Sequence, residues 1–315
     1  MNIGKIWDKA GIYILTAIAL VLFSTLTSKM ISASNLMNIL TQSSMVAIAA
    51  AGMTFAITSG GFDLSVGSTL SIATCILGVT IPTIGLWPAI LITLIVGVIL
   101  GTFNGIIITK FKIQTFVATL ATMVIYRGVA FLFTQGRDAT LMSNLDIKVF
   151  SSGRLFGIPL PIIFMVVVYL VAFVIYKYTP YGLYTRAVGS NEPASRISGI
   201  KVDRTIIITF ILTATTAVFA GIIQTSQLLT GSGRLGKGFE LEVITATILG
   251  GTSLAGGKGN IWGSLCAAIL LGIVRNGLNL LGVGESYQQL ITGAILIFAL
   301  AISGFRLIFK KKAVA

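Results

Sequence analysis

The side chains with chemical potential in this chain are few, and most are amides, carboxylates and guanidiniums set among apolar residues. The densest group is Arg275, Asn276 and Asn279. Arg275 and Asn279 are four residues apart, and Asn276 and Asn279 three apart, so a helix carries them on a shared face. Together with Asn104, in Gly101-Thr102-Phe103-Asn104-Gly105, they are candidates to line a polar path through oily helices. The competing reading has Arg275 snorkelling outward or neutralising Glu285 while the asparagines pack between helices.

What the chain lacks is equally informative. It has no histidine, which removes His-based metal sites, His proton relays and any nucleophile that relies on a histidine base. Cys75 and Cys266 fall in apolar stretches and form neither a disulfide framework nor a zinc site. Gly231-Ser232-Gly233-Arg234-Leu235-Gly236 spells GxGxxG, but it falls in an outside loop between apolar segments, without the strand–turn–helix unit of a dinucleotide site. Around Lys258 a phosphate loop needs Gly at 252 and Ser or Thr at 259; the chain has Thr252 and Gly259. No catalytic residue, metal site or resident cofactor is expected.

The elements that carry these residues are set by composition. With 55% hydrophobic residues, 10% charged residues and a mean hydropathy of +0.98, the 315-residue chain has to be an integral membrane protein. Apolar segments at 10–28, 38–59, 64–81, 88–108, 114–134, 160–177, 205–229, 239–254, 261–281 and 288–306 predict ten transmembrane helices with glycine-rich breaks. The expected fold is all-α and polytopic, a single transmembrane domain over 1–315. The segment at 239–254 is the weakest. Its uninterrupted part rises only about 17 Å as a helix, so it tilts, unwinds at its glycines or partly re-enters. Ten full crossings put both termini in the cytoplasm and most basic residues on the cytoplasmic side. The net charge of +13 thus records orientation and contact with anionic lipid rather than nucleic acid.

Two glycine turns punctuate the spans. Gly60-Gly61-Phe62-Asp63-Leu64-Ser65-Val66-Gly67 and Gly250-Gly251-Thr252-Ser253-Leu254-Ala255-Gly256-Gly257 share Gly-Gly-x-x-Leu-x-x-Gly, which aligns Gly60 with Gly250 and Gly67 with Gly257. An internal repeat follows from that alignment. Asp63 is expected to cap the helix after it. All nine carboxylates fall in loops or near span ends, against the buried acidic groups that proton coupling uses.

The most informative polar stretch is 178–204, an inside loop. Ser190 or Asn191 caps a short helix, Pro193 fits its first turn and Gly199 closes it. Two turns are too short to be stable alone, so the helix docks on something. Ala194, Ile197 and Ile200, ringed by Glu192, Arg196 and Lys201, favour a protein partner over the membrane interface.

Taken together, Val188 to Ile200, Gly61 to Ser68, Leu249 to Gly259 and Arg275 to Val283 resemble the signatures of permeases from ribose and other simple-sugar ATP-binding cassette importers of bacteria. The resemblance covers essentially the whole chain. The chain departs from it at Phe62, at Pro193 and in the 230–238 loop, which faces outside where a binding protein docks. The resemblance implies a subunit of the cytoplasmic (inner) membrane that pairs with a second, identical or different, permease. An extracytoplasmic binding protein delivers a monosaccharide, ribose-like above all, and a separate cytoplasmic ATPase binds ATP and Mg. It assigns ATPase coupling to Ser190, Asn191, Glu192, Pro193, Ala194, Ser195, Arg196, Ile197 and Gly199. The glycine turns, Gly60, Gly61, Asp63, Gly67, Gly250, Gly251, Gly256 and Gly257, form a second set. Another small polar solute, or a sodium-coupled secondary transporter, is the alternative.

Overall fold

The structure is a computed structural model that describes residues 3–312. The chain opens with α1 (Ile3–Leu26), α2 (Ala33–Thr58), α3 (Val66–Ile84), α4 (Leu86–Lys110) and α5 (Thr115–Phe133). A short irregular region follows, with strand β1 (Ala139–Thr140), helix α6 (Val149–Ser152) and the hairpin β2 (Arg154–Leu155) and β3 (Ile158–Pro159). Next come α7 (Leu160–Tyr178), α8 (Pro180–Ser190), α9 (Glu192–Ile197) and α10 (Val202–Leu228). Strand β4 (Thr230–Gly231) precedes α11 (Phe239–Leu249), α12 (Ile261–Leu280) and α13 (Glu285–Lys312).

Seven of these helices are long and apolar enough to cross a membrane: α2, α3, α4, α5, α7, α10 and α12. Their boundaries follow local chemistry. Ser32 caps α2 by accepting the Asn35 amide at 3.3 Å, and Asn260 caps α12 by accepting that of Gly263 at 3.0 Å. Gly85, at φ +83°, is the single hinge between α3 and α4. The long connection 178–204 holds more helix than expected. α8 fills its first half, because Pro180 starts a turn there and Arg186 covers the Tyr176 ring at 5.1 Å.

Helix α10 is the centre of the bundle, packed between α2, α3 and α4. Three glycines let α4 approach it. A Cβ at Gly97 would lie 2.7 Å from Val218, one at Gly105 2.7 Å from Ile207, and one at Gly101 would strike the Phe210 carbonyl. Their four-residue spacing is the small-residue stripe of close membrane-helix pairs, where dispersion replaces the hydrophobic effect.

The bundle has two distinct ends. One carries α8, α9 and the basic residues Lys110, Lys177, Arg186, Arg196, Lys201 and Arg204; it is called the basic end below. The other carries the β pairs, with Ala139 opposite Gly231.

The 230–238 segment overturns one expectation. It is not a loop facing outside. From β4 it turns inward along α3, antiparallel to it: Gly231 lies against Thr74 and Gly78, and Gly236 reaches Gly67 and Leu70. Gly231, Ser232 and Gly233 are buried. Only there does α11 begin, and its 11 residues reach the basic end. Between α10 and α12 the chain therefore runs inward as a turn-rich, non-helical segment followed by a half-helix, not as a helix over 239–254. Its unwinding lies ahead of the helix, because the glycines after it form the helix stop.

That stop also corrects the repeat. After α2, Gly60 has φ +90°, with Gly60 N–H donating to the Ile57 carbonyl and Gly61 N–H to that of Ala56. After α11, Gly251 has φ +94°, with its N–H donating to Ile248 and that of Thr252 to Thr247. Both are Schellman stops. In space Gly60 matches Gly251 and Ser59 matches Gly250, one residue away from the sequence alignment. The likeness also ends there: Gly67 is helical, whereas Gly257 has φ +74°.

Candidate functional site

A cavity of about 790 Å³ opens between α2, α10, α11, α12 and α13, away from the basic end. Its polar lining includes Gln42, Gln224, Lys237, Glu242, Arg275, Asn279 and Gln288. Its deepest wall is the start of α11, where Glu242 accepts an ion-paired hydrogen bond from Arg275. Both partners also border a small pocket between α2, α12 and α13 with room for about one water. Asn279 accepts from the Gln288 amide at 2.6 Å and so ties α12 to α13. Glu242 and Arg275 offset each other's charge, Lys237 adds a cation at the rim, and the amides supply both donors and acceptors. That suits a neutral, hydroxyl-rich solute, whose groups both give and take hydrogen bonds.

The sequence-selected amides part company here. Arg275 and Asn279 line the cavity, but Asn276 does not. It is buried and forms a reciprocal amide pair with Asn35 of α2, at 2.9 and 3.0 Å. One residue is a 100° turn, enough to send neighbours to different surfaces. Arg275 pairs with Glu242, and the side chain of Glu285 lies outside the described residues.

Asn104 is also away from the cavity. It donates to Ser65 Oγ at 2.9 Å and accepts from Tyr126 OH at 3.1 Å, linking α4 and α5 to the first glycine turn. Ser65 Oγ in turn donates to Asp63 Oδ1 at 2.6 Å, and Thr213 of α10 donates to Oδ2 at 2.6 Å. Asp63 is fully buried. It accepts the Ser65 amide at 2.9 Å in a turn ahead of α3, whose N-cap is Ser65 itself. The carboxylate therefore closes its own turn and clamps α10, rather than capping the helix directly. Thr213 is about 16 Å along α10 from the basic end, so Asp63 is a carboxylate at membrane depth. With Glu240 and Glu242 at the start of the half-helix, three carboxylates lie deep. The expectation that all sit in loops near span ends fails in space, and with it the charge-placement case against ion coupling.

The second constellation is at the basic end. Asn191 caps α9 by accepting the Ala194 amide at 2.9 Å, and Pro193 occupies its first turn. Gly199 closes the helix at φ +80°, with the Ile200 amide donating back to Ser195 at 3.0 Å. Glu192 and Asp203 both accept from Arg196, at 2.9 and 2.7 Å, and hold its pKa above the ordinary value. Only Ser195 is turned inward. Ala194 and Ile197 are exposed, Ile197 at 89%, so the helix presents an apolar side chain to the space beyond the bundle. Just before it, Gly189 lies between the Thr58 carbonyl and the Gly257 amide, which themselves hydrogen-bond at 2.8 Å. Gly256 and Ser190 complete the contact. The α8–α9 element thus seats on both glycine turns at once.

Glu242, Gln42, Gln224, Gln288 and Arg127 were not selected from sequence. Single amides in α2 and α10 and a guanidinium in α5 were visible signals, since polar groups are costly there. Their convergence was not visible, because the helices that carry them are far apart in sequence.

The chain matches the family model described as branched-chain amino acid transport system, permease component, over residues 35–300. It is 40% identical to the ribose import permease protein RbsC of Escherichia coli, over 95% of this chain and 94% of that protein. It is 38% identical to the protein of the same name from Bacillus subtilis, over 96% and 94%. The L-arabinose transport system permease protein AraH of Escherichia coli is 34% identical over 97% and 93%. No solved structure matches the chain.

Proposed function

Because the chain belongs to the family of transport-system permease components, as a multi-pass membrane protein, we propose that it is the membrane subunit of an ATP-driven importer for a monosaccharide, ribose-like above all. The observation that carries this reading is the seating of α8–α9 on both glycine turns, with α9 itself exposed. A push on α9 reaches α2 through Thr58 and α11 through the 250–257 turn, and α11 is the wall of the cavity. An ATPase docked on α9 would move the path without touching the solute.

In this reading the basic end faces the cytoplasm, in line with the positive-inside bias. The cavity faces the opposite side, where a binding protein delivers the sugar. Arg275 and Asn279 line the path, with Glu242 as the charge partner. ATP and Mg belong to the partner ATPase, and a second permease copy completes the pathway. The family description names branched-chain amino acids, whereas the relatives above are named for pentoses. The sugar reading is supported by the pairing of Glu242 with Arg275 and by the amides of the lining, which give and take hydrogen bonds as sugar hydroxyls do.

The test is reconstitution with a nucleotide-binding subunit and a sugar-loaded binding protein. Loaded binding protein is expected to stimulate ATP hydrolysis and drive labelled ribose inward, and Asn279→Leu to lower ribose uptake at least fivefold with the complex intact. Hydrolysis indifferent to loaded binding protein would refute the importer reading. Uptake of leucine in place of ribose would refute the sugar.

A further inference from the structure

The inward segment 232–238 is non-helical backbone at membrane depth, and its carbonyls have no ladder of their own. In hydrocarbon such groups must be satisfied by protein. Two elements do this from opposite sides. On the α3 side, Ser71 donates to the Gly233 carbonyl at 2.9 Å and Thr74 to that of Ser232 at 3.3 Å. On the α5 side, Arg127 donates to the carbonyls of Gly233, Leu235 and Gly236, at 3.1, 2.5 and 3.3 Å. Arg127 is half-buried, bears no ion-paired hydrogen bond, and does not line the cavity. The segment it holds does: Gly236, Lys237, Gly238 and Phe239 form one wall, and Glu242 follows one turn later.

We propose that Arg127 is a positioning residue for transport: it pins the inward segment against α3 and so sets where α11 begins and where Glu242 meets Arg275. The proposal rests on the importer reading for its functional consequence, but not for its structural one. Only a guanidinium serves here. Its five donors in a planar fork reach three carbonyls within four residues, those of Gly233, Leu235 and Gly236, whereas an ammonium is a single point. A charge used this way binds backbone dipoles instead of solute, and the Glu240 carboxylate near the start of α11 offsets it without a direct ion-paired hydrogen bond.

The experiment uses the reconstituted complex with Cys266→Ala and Ser232→Cys. Ser232 is buried beneath the segment's contacts with Thr74, whereas native Cys75 is shielded by α4 and α5. A membrane-permeant maleimide reports both thiols. Arg127→Gln is expected to raise labelling at position 232 at least tenfold, leave Cys75 within twofold, and cut sugar carried per ATP at least tenfold. Arg127→Lys is expected to fall between the two. Unchanged protection at 232 in Arg127→Gln would overturn the proposal, as would an equal rise at Cys75, which marks general loosening. Labelling judges the pin; hydrolysis in the unsubstituted complex judges the importer reading, so the two can fail separately.

Discussion

The connections 190–199 and 230–238 have similar compositions: short, glycine-bearing, with one or two cations. Their structures are opposites. The first is exposed and built by its own residues, with Asn191 as cap, Pro193 in the first turn and Gly199 at the stop. The second is buried over Gly231, Ser232 and Gly233 and held mainly by others, since Ser71, Thr74 and Arg127 donate to its carbonyls. A segment that satisfies its own backbone can stand out from the bundle and be offered to a partner. A segment that cannot do so must be enclosed, and it becomes part of the wall.

Substitutions can break or sharpen that contrast. The largest effect is expected at Gly231, where a side chain would run into the Thr74 carbonyl. Gly231→Val should cost more than about 3 kcal/mol, because both neighbours are backbone and neither can yield. Folded protein recovered in detergent should fall sharply; normal recovery would mean the segment is not clamped. Next is Asn276→Leu, which strands the buried amide of Asn35 at a cost of about 1–3 kcal/mol. Thermal unfolding should show the loss, the Asn35→Leu/Asn276→Leu pair should recover part of it, and uptake per folded molecule should stay normal. Reduced uptake would return Asn276 to the path.

Gly199→Val should be milder for the fold. Nothing lies within 4 Å of a Cβ there, so only the positive φ is penalised, by about 1–2 kcal/mol. Membrane insertion should persist while loaded binding protein loses its stimulation of ATP hydrolysis. Full stimulation would make α8–α9 a mere connector. The smallest effect on the fold is expected for Glu192→Ala with Arg196→Ala, since exposed ion pairs add little stability. ATPase association should nevertheless weaken, further so in high salt if Ile197 is the remaining anchor. A changed unfolding temperature without changed association would reverse the assignment.

Much was legible in the chain itself. Seven of the ten expected spans match helices long and apolar enough to cross, with ends within about five residues, because a helix that must satisfy its backbone alone needs an apolar run of fixed length. The α9 cap and stop were readable for the same reason: their hydrogen bonds join residues three to five apart. What the tertiary structure alone decided joins residues far apart. It brought Glu242 to Arg275 and Asn35 to Asn276, and closed Asp63 onto Thr213. It also turned a glycine-rich stretch that reads as an outside loop into an inward, partly buried run of turns. Local sequence carries no trace of that choice, because the donors that make burial affordable sit on α3 and α5, more than a hundred residues away.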